Sequence, residues 1–267
     1  MKVFISSDIE GTAGITHWDE AEKKHPVYAE FRQLMTNEVL AAIEGAIDAG
    51  ATEILLKDAH DSGRNIITEN LPACVKIIRG WSGHPLSMIQ GVDEGFDAVV
   101  FTGYHSRAGA EGNPLAHTTN LRISELRLNG VPASEFHVYA TAAAYYKVPS
   151  VFISGDAGIC ADAARINPGM VTVPVLEGVG RSTISIAPSV ARTRIKEGVT
   201  KALKLDRTKL LPSVPDITVL EVVFNNPTDA YRASWYPGAK HIGNRTVQFA
   251  NRDYFEIMRA QKFILGI

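Results

Sequence analysis

Lys2-Val3-Phe4-Ile5-Ser6-Ser7-Asp8-Ile9-Glu10-Gly11 opens the chain with an apolar run that stops at two acids. A short run rich in Val, Ile and Phe reads as a buried β-strand. The pattern recurs as Glu53-Ile54-Leu55-Leu56-Lys57, Ala98-Val99-Val100-Phe101-Thr102 and Ser150-Val151-Phe152-Ile153-Ser154. Helical stretches separate the runs, so the expected fold class is α/β, a largely parallel sheet flanked by helices.

Working outward, Leu34, Val39, Ile43 and Ile47 recur on one face of a helix expected from about Ala29 to Ala49. Gly50 is placed to stop it. Asn129-Gly130 between apolar flanks predicts a hairpin, and Ser134 is a candidate N-cap for the alanine-rich stretch that follows to Tyr146. Further helices are expected from Pro188 to about Leu203 and from about Asp253 to Phe263, with a β-run from Ile217 to Phe224. The whole chain, 1–267, reads as one domain. A change of style near residue 170 points to a smaller C-terminal α/β sub-domain.

The 267 residues are 45% hydrophobic and 21% charged, which supports a sizeable core without cross-links. A formal net charge of −2 argues against a nucleic-acid partner. No apolar run is long enough to span a bilayer, and an acid at position 8 comes too early for a signal peptide. Two cysteines, Cys74 and Cys160, form no disulfide framework. The expectation is a cytoplasmic protein with no membrane partner.

Three successive runs end in residue types that bind metals: Asp8-Ile9-Glu10, Asp58-Ala59-His60-Asp61 and Gly103-Tyr104-His105. Functional groups of parallel sheets collect beyond the carboxyl ends of strands. Residues two apart on an extended segment point the same way, so Asp8 and Glu10 can share a cavity. Carboxylate with imidazole is the donor set of zinc and related divalent metals. One Asp at a strand end is ordinarily a cap or turn former, and one His ordinarily bonds a backbone carbonyl. Repetition at three strand ends favours the metal reading. Asp58 and Asp61 can orient the histidines or simply form turns; Arg107 can bind a substrate carboxylate or pair with an acid. Trp81 reads as packing, although it can line a cleft.

Ser7-Asp8-Ile9-Glu10-Gly11, Asp58-Ala59-His60-Asp61-Ser62 and Gly103-Tyr104-His105-Ser106-Arg107-Ala108 resemble the motifs of the zinc D-aminopeptidases. The resemblance extends through Ser134-Glu135 and Ser154-Gly155-Asp156 and reappears in Thr246-Val247-Gln248-Phe249. It implies two zinc ions, with cobalt or manganese as substitutes. Asp8 would bridge them, Glu10 and His105 would complete one, and His60 and Glu135 the other. His117, in Pro114-Leu115-Ala116-His117-Thr118, matches the catalytic histidine outside the metal shell. The implied reaction is metal-assisted hydrolysis of short peptides with a free N-terminus, with D-amino-acid peptides as the expected substrates. The resemblance also implies a homodecamer of two stacked five-membered rings. Rival readings are another two-metal hydrolase of an amide or ester, an L-specific aminopeptidase, a metal-holding module without turnover and a plain α/β domain without metal.

Overall fold

A computed structural model describes residues 1–267. In chain order the elements are β1 (Lys2–Ser7), α1 (Trp18–Ala21), α2 (Tyr28–Asp48), β2 (Glu53–Asp58), β3 (Val75–Ile78), β4 (Ala98–Tyr104), β5 (Ile123–Leu128) and β6 (Val131–Pro132). They continue with α3 (Glu135–Tyr145), β7 (Ser150–Asp156), α4 (Ala157–Ile166), β8 (Val171–Val179), β9 (Ser182–Ser185) and α5 (Pro188–Leu203). The last are β10 (Thr218–Phe224), α6 (Pro227–Ala233), β11 (Lys240–Gly243), β12 (Thr246–Asn251) and α7 (Tyr254–Leu265). No helix is long and apolar enough to cross a membrane.

The large sheet has the order β3-β2-β1-β4-β7-β8-β9, parallel except for the edge strand β9. Period-two alternation sends Val3 and Ile5 of β1 to one face and Phe4 to the other. Val3 and Ile5 join Met35, Val39 and Ile43 of α2 and Ile195 and Val199 of α5 in one core. Phe4 joins Phe136 and Tyr139 of α3, Leu220 and Val222 of β10, and Tyr254 and Ile257 of α7 in the other. Both faces are therefore covered, as parallel strands with no polar face require. The buried stripe of α2 keeps the expected Val39 and Ile43 but ends on Met35 and Ala46 in place of Leu34 and Ile47, and Ile47 is 39% exposed.

The C-terminal part of the chain divides between two sheets. Residues 171–203 complete the large sheet and its helical cover. The second sheet, β11-β12-β10-β5-β6, is antiparallel and joins the C-terminal strands to the mid-chain hairpin. Asn129 and Gly130 turn that hairpin with φ of 49° and 78°, the positive pair that a two-residue turn of this hand demands. Sequential strands alone would have kept the C-terminal part separate; β10 instead finds its partner β5 about ninety residues earlier.

Glu38 of α2 is buried beneath the loop that follows β1. Its Oε1 accepts the Ala13 N–H at 2.9 Å, and its Oε2 has no partner. Burial pushes its carboxyl up to about 8 from an ordinary 4.5. The folded chain holds this proton across a window where the unfolded chain has released it. Stability is thus fully present below about pH 4.5 and is lost as pH rises to 8. Chelator-treated Glu38→Gln should be more stable than its parent at pH 8.5 by roughly 1–3 kcal/mol and close to it at pH 5, read by urea unfolding. An equal difference at both pH values would show that the carboxyl is ionised in the fold.

Candidate metal centre

Strand register assembles the site. Ser7 lies beside Asp58 of β2 and Thr102 of β4, so the residues just beyond β1, β2 and β4 meet at one edge. Asp8 donates its N–H to the Thr102 carbonyl, and Ala59 donates to the Ser7 carbonyl, both at 2.9 Å, extending the ladder into the loops. The chain then turns. Gly11 donates to the Gly103 carbonyl at 2.8 Å, and a Cβ on Gly11 would overlap the Tyr104 carbonyl. Only glycine permits that approach, which swings Glu10 back over the strand ends. Glu135 enters from the opposite side as the first residue of α3, whose N-cap Ser134 accepts the His137 N–H at 3.1 Å.

All five expected ligands converge and are buried. His60 Nδ1 is 3.2 Å from Asp8 Oδ1 and 3.1 Å from Glu10 Oε1. His105 Nε2 is 3.6 Å from Asp8 Oδ2 and 3.5 Å from Glu135 Oε2. Asp8 thus turns one oxygen to each group, as a bridging ligand would. Glu10 groups with His60 and also with His105, and Glu135 groups with His105. The cause is lateral order. His60 comes from the β2 side of β1, whereas His105 ends β4, against which α3 packs. His117 joins a third group with Glu10 and His105; its Nε2 lies 3.7 Å from Glu135 and 4.0 Å from Glu10. Its ring stacks on His105, centroids 4.3 Å apart, and meets the Trp18 ring edgewise.

Each histidine has one nitrogen against a backbone carbonyl: His60 Nε2 on Ala21 at 2.8 Å, His105 Nδ1 on Ser106 at 2.9 Å, and His117 Nδ1 on Leu115 at 2.9 Å. A carbonyl only accepts, so that nitrogen carries the proton and the inward nitrogen is free to bind a cation. His105 Nε2 and Glu10 Oε2 are buried with no hydrogen-bond partner. Such atoms carry a desolvation penalty unless something pairs with them. Oxygen and nitrogen donors aimed into one space fit a divalent cation of the zinc class.

The charges are tightly coupled. Burial, then the Glu10 charge, raises Asp8 well above the usual carboxylate range. Burial also pushes Glu10 up, but His60, His105 and His117 overcome it and hold Glu10 well below that range. Against their own burial, Glu10 raises His60 and Glu135 raises His105. His117 moves the other way, lowered by burial and then by His105. It therefore stays neutral where the other two favour a proton.

Some polar residues near the site act differently from their first reading. Asp58 accepts from Asn65 N, Asn65 Nδ2 and Ile66 N, and so organises the loop after His60 without touching its ring. Arg107 Nη1 donates to the Ala108 carbonyl. Asp156, at the end of β7, accepts from Ser106 N and Oγ, both at 2.6 Å, and from Asn113 Nδ2. Asn113 Nδ2 also donates to the Glu10 carbonyl at 2.9 Å, so one buried amide ties the His117 loop to the Glu10 turn. An Asp at the end of a strand was the available signal, and its partners lie too far off in sequence to be read from it. Trp81 lines the cavity, donates to the Asp61 carbonyl at 2.6 Å and lays its face under Lys57 Nζ.

The cavity measures about 410 Å³ and opens from the metal-ligand cluster past Trp18, Trp81, Tyr139 and Lys262. That lies in the size range of small-molecule sites. Fold and site together define an α/β protein with a buried carboxylate–imidazole centre suited to divalent metal, at the base of a ligand-sized cavity.

The chain belongs to the peptidase family described as D-aminopeptidase, whose family model matches residues 1–263. It is 31% identical over 263 residues to the D-aminopeptidase of Bacillus subtilis (strain 168), covering 97% of this chain and 95% of that protein. Its structure is similar to the Zn-dependent D-aminopeptidase DppA from Bacillus subtilis, described as a self-compartmentalizing protease. The TM-score is 0.94 at 29% identity, with 100% of this chain and 97% of that one covered.

Proposed function

We propose that this chain is a zinc-dependent aminopeptidase that removes the N-terminal residue of short peptides, with D-amino-acid peptides as its substrates. The observation that carries the reading is the set of converging donors, including the unpaired Glu10 Oε2 and His105 Nε2, of which Asp8, Glu10, His60 and Glu135 line one cavity. In this reading Asp8 would be shared by two ions, and Glu10, His60, His105 and Glu135 would supply their remaining protein ligands. When bound, such ions lower the pKa of water and polarise a carbonyl. The chain's own residues do the rest. Five acids line the cavity, Asp8, Glu10, Glu22, Asp61 and Glu135, and attract a substrate ammonium group. His117 presents a neutral Nε2 to the same space and can take or return a proton there. Trp18 and Trp81 flank the opening and limit water around a bound peptide.

The D-peptide preference rests on family membership and on the similar Bacillus proteins. Zinc-reconstituted protein should hydrolyse D-alanyl-D-alanine at least about tenfold faster than L-alanyl-L-alanine, a difference of about 1.4 kcal/mol in the barrier. Equal rates would remove the D label and leave the peptidase; no hydrolysis of either would remove the peptidase. Metal analysis of the same sample should find two ions per chain. A homodecamer in the cytoplasm belongs to the same reading. It is supported by the self-compartmentalizing Bacillus protease and by the exposed, edge-packed Tyr231 and Trp235, 59% and 72% accessible. Light scattering would give the assembly's mass.

A further inference from the structure

Lys262, in the last turn of α7, is the one cation among the residues that line the metal-site cavity. Four of the five acids there have partners: Glu22 faces Lys24 and His25, and the three cluster acids face histidines. Lys262 has none within reach. Lys57, the nearby lysine that loses water, is compensated: its Nζ donates to the Gly80 carbonyl at 2.7 Å and sits over Trp81. Burial lowers Lys262 and no neighbouring acid opposes it. A half-buried ammonium with no anion beside it is a receptor for one.

The cavity is thus lined by groups of both signs, five acids and one lysine ammonium. A ligand that satisfies both carries a positive group at one end and a negative group at the other. A short peptide with free termini does so, its ammonium toward the acids and its carboxylate toward the lysine. We propose that Lys262 binds the C-terminal carboxylate of the substrate and makes this an enzyme for short zwitterionic peptides, dipeptides first. The proposal rests on the aminopeptidase reading above and adds the substrate's far end to it. Each added residue moves the carboxylate by about 3.3–3.6 Å, so a lysine on a fixed helix also limits peptide length.

The test compares D-alanyl-D-alanine with its C-terminal amide, using zinc-reconstituted wild type, Lys262→Met and Lys262→Gln. Wild type should favour the free acid in kcat/KM by about 10–100-fold, mostly through KM, as expected for one charge-assisted contact. In both neutral variants the ratio of acid to amide should collapse toward one. Lys262→Arg should restore most of the preference. A ratio unchanged by removal of the charge, or a wild type that prefers the amide, overturns the proposal. Calorimetric binding of the same two peptides separates this from the fate of the peptidase reading. If wild type hydrolyses neither, the peptidase reading fails. Weaker binding of the free acid by Lys262→Met than by wild type would still support the carboxylate contact, and equal or absent binding would overturn it.

Discussion

Asp8→Asn is expected to abolish metal-dependent activity while leaving the metal-free fold at least as stable as its parent. Asp8 is the one residue shared by both ligand groups, with Oδ1 toward His60 and Oδ2 toward His105. An amide of the same shape keeps the Ile9 N–H bond to Oδ1 but brings no negative charge. Loss of a shared ligand should lower kcat/KM by about a thousandfold or more, the several kcal/mol that a metal supplies. The stability half of the prediction has its own cause. Burial and the Glu10 charge disfavour ionised Asp8, so an uncharged side chain relieves strain in the metal-free protein. Zinc should raise the melting temperature of wild type and leave that of the variant nearly unchanged. A variant that still binds two zinc ions would show that Asp8 is no bridge.

His117→Ala is expected to keep its metal and lose about 10²–10⁴ in kcat, the range of general acid–base catalysis. His117 Nε2 stands 3.7 Å or more from the nearest acid, and its ring rests flat against His105 outside the bridged pair of groups. Metal analysis of the purified variant should match wild type; loss of metal would make His117 a ligand. The pH profile gives a second check. The neutral ring is the active form, and burial followed by His105 lowers its pKa. Activity should therefore fall with acid along a limb centred below the ordinary imidazole value, and His117→Ala should lack that limb.

Three of the five proposed metal ligands were legible because each follows a strand. Asp8, His60 and His105 sit just past β1, β2 and β4, and these strands proved to be neighbours in one parallel sheet. Glu10 was legible through two-residue spacing, although a turn at Gly11, and not a continued strand, aims it. Glu135 was not legible from its surroundings. An acid at the first position of a helix is common because the helix dipole favours it. Only resemblance singled it out. Which donors lie nearest one another follows from a spatial fact that sequence order does not carry: the side of β1 that each neighbouring strand occupies.

The second sheet repeats that lesson at larger scale. Asn129-Gly130 announced a hairpin, yet nothing local named β10 as its partner. Lys262 lies more than a hundred residues from every proposed metal ligand, and α7 alone carries it to their cavity. The amino-acid sequence by itself determined the parallel α/β class, the first strand's end at Asp8 and Glu10, and the donor chemistry. Those follow from period-two alternation and side-chain type, which are local properties. Tertiary structure decided which donors come together, how Asp8 divides its oxygens between His60 and His105 and which lysine lines their cavity. Those depend on lateral strand order and long-range packing, where residues distant in the chain meet only after both faces of the sheet are buried.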